Sequence, residues 1–127
     1  MQKRKIVLTV FCLITTFILQ GCLVAAVGAG AGTVAYLRGD LETAEAKGID
    51  AVYAATKKAM EQLELNVSSD TKDALSAEIV ARDAQDKKIT INLKSTTEGT
   101  TKISIRVGTF GSETKSILIY DQIKKNL

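Results

Sequence analysis

Alternation of apolar and polar residues runs through the later part of the chain. Leu75, Ala77, Ile79 and Ala81 alternate with Ser76, Glu78, Val80 and Arg82. Ile89, Ile91 and Leu93 alternate with Thr90, Asn92 and Lys94, and Ile103, Ile105 and Val107 with Lys102, Ser104 and Arg106. A period of two puts one face of a strand on a core and the other toward water. Leu65 and Val67 begin a further short strand, which Ser68-Ser69-Asp70 ends. Upstream, Leu37, Gly39, Leu41 and Thr43 share one side against Arg38, Asp40 and Glu42, predicting a strand from Leu37 to about Ala46. The connectors Asp83–Asp86 and Ser95–Thr100 have hairpin length, so the later strands form an antiparallel meander.

Two stretches change period. After Gly48, Ile49, Val52, Tyr53, Thr56, Ala59, Met60 and Leu63 follow helical spacing, with Lys57, Lys58, Glu61 and Gln62 off the stripe. Gly108-Thr109-Phe110-Gly111 turns the chain into a last helix, from about Ser112 to Lys125. Ser112 is the expected N-cap, Glu113 suits the positive helix end, and Lys124 and Lys125 suit the negative one. Ser116, Ile119, Tyr120 and Ile123 give its core stripe, with Ile117 beside it. The predicted order is β-α-β-β-β-β-α. One apolar face on the sheet and one stripe on each helix predict an α+β two-layer sandwich, an antiparallel β-sheet with two helices on one face, over residues 37–127.

The N-terminus has a different character. Lys3, Arg4 and Lys5 precede an apolar run from Ile6 to Leu19, broken only by threonines. A basic start, a short apolar core and a small residue before a cut site make a secretory signal. Leu19-Gln20-Gly21-Cys22 closely resembles a bacterial lipobox. That resemblance implies cleavage between Gly21 and Cys22, with diacylglycerol and a further acyl chain such as palmitate on Cys22. The expected layout is a signal peptide over 1–21, an acylated Cys and tether over 22–36, and a periplasmic domain over 37–127. An uncleaved transmembrane helix is the competing reading, but Gln20 and Gly28, Gly30 and Gly32 interrupt the span. Two acyl chains hold a protein stably on a bilayer without a span. Leu23 stands where lipoproteins retained in the inner membrane carry Asp, which favours the periplasmic face of the outer membrane in a Gram-negative host.

Leu23 to Tyr36 is rich in Ala, Gly and Val. It reads as a flexible tether or as a short helix packed through Gly28 and Gly32. A phosphate loop has little support, since no strand precedes it and no Lys-Ser/Thr follows.

Composition narrows the chemistry. The chain has 17 Lys+Arg, 14 Asp+Glu, two Cys and no His. Without His, Ser-His and Cys-His nucleophile systems are excluded. Cys12 belongs to the signal and Cys22 carries lipid, so the mature protein has no free thiol, disulfide or Cys-ligated metal. Residues 1–21 hold three basic residues and no acidic one. The mature side chains therefore balance, and no charge argument for a nucleic-acid partner remains.

The whole pattern resembles a family of small, uncharacterised bacterial lipoproteins with one α+β domain, to which Francisella lipoproteins are also similar. The residues behind this are the lipobox, Gly28–Gly32 with Thr33-Val34-Ala35-Tyr36, Gly39 and Leu41, Val52-Tyr53 with Ala55, Ala74-Leu75-Ser76-Ala77 and Ile103–Gly108. The resemblance implies location and fold; it implies no activity, cofactor or catalytic residue.

Other candidate chemistry is sparse. Asp70 and Asp73 flank Thr71-Lys72, but they lack the Gly and distal Glu of a calcium loop and read as a solvated turn. Arg106, Gly108, Gly111 and Ser112 fit an anion site or, more simply, a turn and cap. The seam between helices and sheet is expected to be lined by Ile49, Val52, Tyr53, Met60, Ile79, Ile91, Ile105, Phe110, Tyr120 and Ile123. It is either a filled core or a pocket for a lipid or other apolar ligand. The expected function is therefore that of a lipid-anchored, non-enzymatic envelope protein acting through contact with another envelope protein. Carriage of an apolar ligand is the alternative.

Overall fold

A computed structural model describes residues 1–7, 9, 34–96 and 99–127. Residues 2–7 are helical and exposed. They belong to a unit, Met1–Gly30, distinct from the unit Ala31–Leu127. The expected cleavage site at Gly21 and Cys22, and the tether up to residue 33, lie outside the described residues.

The second unit runs β1 (Ala35–Leu37), β2 (Asp40–Glu45), α1 (Ile49–Gln62), β3 (Asn66–Lys72), β4 (Ser76–Arg82), β5 (Lys88–Ser95), β6 (Thr101–Val107) and α2 (Glu113–Lys125). It is an α+β arrangement around one antiparallel six-stranded sheet, in the order β1-β2-β6-β5-β4-β3. Consecutive strands β2 and β3 therefore lie apart in the sheet, and the chain between them forms α1.

The register explains why alternation predicted these strands. Leu41 faces Ile105, Ile105 faces Ile91 and Ile91 faces Ile79, giving one row across four strands. Thr43, Ile103, Leu93 and Ala77 form a second row, and Val107, Ile89 and Ala81 a third. Every member of these rows is buried. Cross-strand neighbours share a face, so all the buried positions lie on one side of the sheet. Both helices contact the sheet and each other. Ile49, Val52, Ala55, Thr56, Ala59 and Met60 are buried from α1, and Ser116, Ile119, Tyr120 and Ile123 from α2. The helices are also joined by Gln62, whose Oε1 accepts from Gln122 Nε2 at 2.6 Å and Asn126 Nδ2 at 2.8 Å. All core residues fall between Leu41 and Ile123, so residues 34–127 carry their own core.

Four details depart from the sequence expectation. The strand expected from Leu37 to Ala46 is a hairpin, β1 and β2, turning at Arg38 and Gly39. Both turn residues have positive φ, 54° and 90°, as a two-residue primed turn demands. Leu37 pairs with Asp40 and so lies on the face opposite Leu41, 58% exposed. The run Ser68-Ser69-Asp70 continues β3 as far as Lys72, with a bulge between Val67 and Ser69. Leu75 precedes β4 and is exposed. Ser112 has the extended backbone of an N-cap, but its side chain makes no capping hydrogen bond.

Candidate functional site

The seam is packed. Eight of its ten expected residues are buried: Ile49, Val52, Met60, Ile79, Ile91, Ile105, Tyr120 and Ile123. Ile49, the least covered, is 7% exposed. Tyr120 is the polar member. Its hydroxyl donates to Glu45 and accepts from Thr43 Oγ1 at 3.5 Å. Burial, and then the Glu45 carboxylate, push its pKa above the usual tyrosine value. Phe110 does not belong to the seam. Gly108 and Gly111, both with positive φ, bend its loop outward, and its side chain is 93% exposed. Tyr53 is half-buried at the margin of the core.

Tyr53 instead organises a polar cluster between α1 and β3. Its hydroxyl donates to the Asp70 carboxylate, 2.7 Å from Oδ1 and 2.9 Å from Oδ2. Lys57 Nζ lies 2.8 Å from the same carboxylate, and Lys72 Nζ lies 2.7 Å from Asp50. Both ammonium groups stand 5.7 Å from the centre of the Tyr53 ring. Asp70 and Lys72 pair with Ile79 and Ala77, so they occupy core-side positions of an edge strand. Inward-facing charge and a bulge protect a strand edge from adventitious pairing. Asp70, expected in a solvated turn, is thus a strand residue with two partners on α1. It was hidden because its helical partners are distant in sequence.

The cluster sets a pH response. Lys57, and next the Tyr53 hydroxyl, hold the Asp70 carboxyl below its ordinary pKa. A depressed folded-state pKa contributes stability above the unfolded value of about 4, and that contribution is lost as pH falls through the folded value. The Asp70 hydrogen bonds raise Tyr53 and Lys57. Their contribution is present below the unfolded values near 10 and is lost at higher pH. Thermal unfolding of wild type and Asp70→Asn across the pH range should show a smaller acid-side fall in Tm for the variant. Equal falls would remove Asp70 as the source.

A second constellation joins three loops at one end of the sheet. Arg106 Nε lies 2.6 Å from Asp40 Oδ1, and its Nη2 lies 3.0 Å from both Asp40 Oδ2 and the Arg38 carbonyl. Nη1 donates to the Thr109 carbonyl at 3.2 Å. The guanidinium is therefore committed to protein acceptors, which fits the simpler reading of these residues as a turn and leaves the alternative of an anion site without its cation. It fastens the β6–α2 loop to the β1–β2 turn. Gly108 N–H donates to the Lys88 carbonyl at 2.8 Å, which ties in the start of β5. Gly111 lies against Gly39 and the Tyr36 hydroxyl so closely that a Cβ there would sit 2.5 Å from the Gly39 Cα. Asp83, in the β4–β5 loop, accepts from Lys115 Nζ at 2.7 Å and from the backbone N–H of Gln85 and Lys87. The Lys115 contact, and then the Lys87 N–H, lower its pKa.

Among the described residues no group of three or more acidic or Cys side chains is arranged to hold a metal. None of their helices is long and apolar enough to cross a membrane. The polar clusters are ion pairs and hydrogen bonds that join elements of the fold. They define a small α+β domain whose tightest polar contacts serve its architecture. The family described as "Protein of unknown function (DUF3568)" matches residues 5–126, and the chain belongs to that family. Nothing among curated proteins matches it.

Proposed function

We propose that this is a lipid-anchored envelope lipoprotein, similar to the Francisella lipoproteins, that acts without catalysis through contact with another envelope protein. The anchor is diacylglycerol and palmitate on Cys22, exposed by cleavage after Gly21, and the site of action is the periplasmic face of the outer membrane. The sequence Leu19-Gln20-Gly21-Cys22 behind a basic and apolar leader carries this reading. A self-contained domain, read as a two-layer sandwich with both helices over one sheet face, follows after a Gly/Ala-rich tether. Contact as the mode of action is supported by a shallow apolar groove of about 190 Å³ along α2, lined in part by Leu63, Leu65, Leu118 and Ile119. Leu118 is 56% exposed, and exposed apolar surface of this kind favours association. Carriage of an apolar ligand in the seam has less support, because its residues are packed.

Wild type and Cys22→Ser are to be compared in intact cells by membrane fractionation, N-terminal mass and mild crosslinking. Wild type should be held in the membrane with an acylated Cys22 as its first residue. Cys22→Ser should lack the acyl mass and remain uncleaved at Gly21. A variant still cleaved there and still membrane-held would overturn the lipoprotein reading. Loss of the crosslinked species in Leu118→Asp, with the fold intact, is expected if the groove meets the partner.

A further inference from the structure

The end of the sheet fastened by Arg106 has a chemistry that the fold does not require. Phe110 stands at the tip of the β6–α2 loop, 93% exposed. Its loop is held at both sides, by Gly108 on Lys88 and by Gly111 on Gly39, so the ring is presented on a fixed base. Arg38 occupies the tip of the β1–β2 turn at φ 54°, where Asn or Gly would cost less. Lys87 and Lys88 close the β4–β5 loop, which the Gly108 N–H meets at the Lys88 carbonyl. Phe110, Lys87, Lys88 and Arg82 border one open depression of about 440 Å³.

Charge at this end is unevenly compensated. Asp40 is paired with Arg106, Asp83 with Lys115 and Asp86 with Arg82. Among the described residues, Arg38, Lys87 and Lys88 form no ion pair, and neither does Glu113 at the start of α2. An aromatic ring at a loop tip, rimmed by uncommitted cations, matches an anionic lipid surface: the ring enters the acyl boundary and the cations meet the phosphates. Val34 stands twelve residues after Cys22, a reach of up to about 40 Å when extended. The domain can therefore turn this end to the bilayer.

We infer that the loop cluster of Arg38, Lys87, Lys88 and Phe110 is a second membrane contact, which seats the domain on an anionic leaflet. The inference deepens the lipid-anchored reading and rests on it for its setting. A lipid surface is favoured over a protein partner because the three loops end one side of the sheet and combine one apolar tip with several cations.

The chain contains no Trp, so Phe110→Trp gives a single reporter. Residues 34–127 carrying it, without Cys22, are mixed with vesicles of phosphatidylethanolamine and phosphatidylglycerol. Vesicles of phosphatidylcholine serve as the neutral control. Emission should shift to the blue, and brominated acyl chains should quench it, on the anionic vesicles only. Phe110→Ser should weaken partitioning, measured by sedimentation, about tenfold. Lys87→Gln and Lys88→Gln should each weaken it about fivefold. Thermal unfolding confirms that each variant is folded. Unmoved emission on both vesicles would overturn the inference. So would sedimentation that Phe110→Ser leaves unchanged, or loss in that variant of a crosslink to an envelope protein with vesicle binding unaltered. Because the probe has no Cys22, its failure leaves the lipidation result standing, and an unacylated Cys22 in cells leaves the vesicle result standing.

Discussion

Gly111→Ala should cost about 2–6 kcal/mol, combining a positive-φ strain of about 1–3 with an overlap of about 1–3. At φ 80° a side chain is already strained. The added Cβ would also lie 2.5 Å from the Gly39 Cα and closer still to the Gly39 carbonyl oxygen and the Tyr36 hydroxyl. Two of those three atoms are backbone and cannot swing away. The β6–α2 loop must therefore lift from the hairpin, and Arg106 would lose its acceptor on Thr109. Gly108→Ala separates the two causes. It has φ 75° but nothing within 4 Å of a new Cβ, so it should cost only about 1–2 kcal/mol. Urea unfolding of both variants measures the difference, and hydrogen exchange should show early loss of protection at Tyr36 to Asp40 in Gly111→Ala alone. Equal costs would mean that the close approach is not a constraint.

Ile91→Ala should be the most damaging single truncation in the core, at about 2–5 kcal/mol. Ile91 is fully buried at the centre of the row Leu41–Ile105–Ile91–Ile79, with strands on both sides. The rigid ladder limits how far its neighbours can collapse into the space, so a cavity term adds to the lost transfer free energy. Domains of this size are stable by about 5–15 kcal/mol, so the variant would keep a small margin. The urea midpoint should fall with the m-value unchanged. Leu75→Ala removes a side chain of the same volume that is 67% exposed, and it should stay within about 0.5 kcal/mol of wild type. Similar costs for the two would contradict the burial pattern.

The sequence was legible wherever a local period coincided with burial. Ile79, Ile89, Ile91, Leu93, Ile103 and Ile105 alternate with polar residues, and all face the core. The α1 stripe from Ile49 to Met60 is likewise buried except for the half-buried Tyr53, with Ala55 added. Local patterns failed at the two edges of the sheet. β1 has three residues, too few to show a period, and its partner β2 gave the whole hairpin the look of one strand. β3 is exposed along its length because its core-side positions meet α1 through charged side chains. The sequence marks such a strand as polar and so as a turn. Phe110 was misplaced because hydrophobicity alone assigned it to the seam, whereas two positive-φ glycines set its direction. The loop cluster required three segments to meet, and only tertiary structure joins Arg38, Lys88 and Phe110. Gly21, Cys22 and the tether rest on sequence alone.

The strand order has a consequence for how the chain comes together in time. β2 lies between β1 and β6, pairing Asp40 with Arg106 and Glu45 with Thr101. A polypeptide emerging N-terminus first therefore delivers β2 long before its inner neighbour. β3 to β6 can zip as successive hairpins, but the sheet closes only when the last strand is complete and the longest loop is drawn shut. A chain delayed before β6 holds no finished core. Any carrier that must thread it in extended form would meet a polypeptide whose own topology postpones folding.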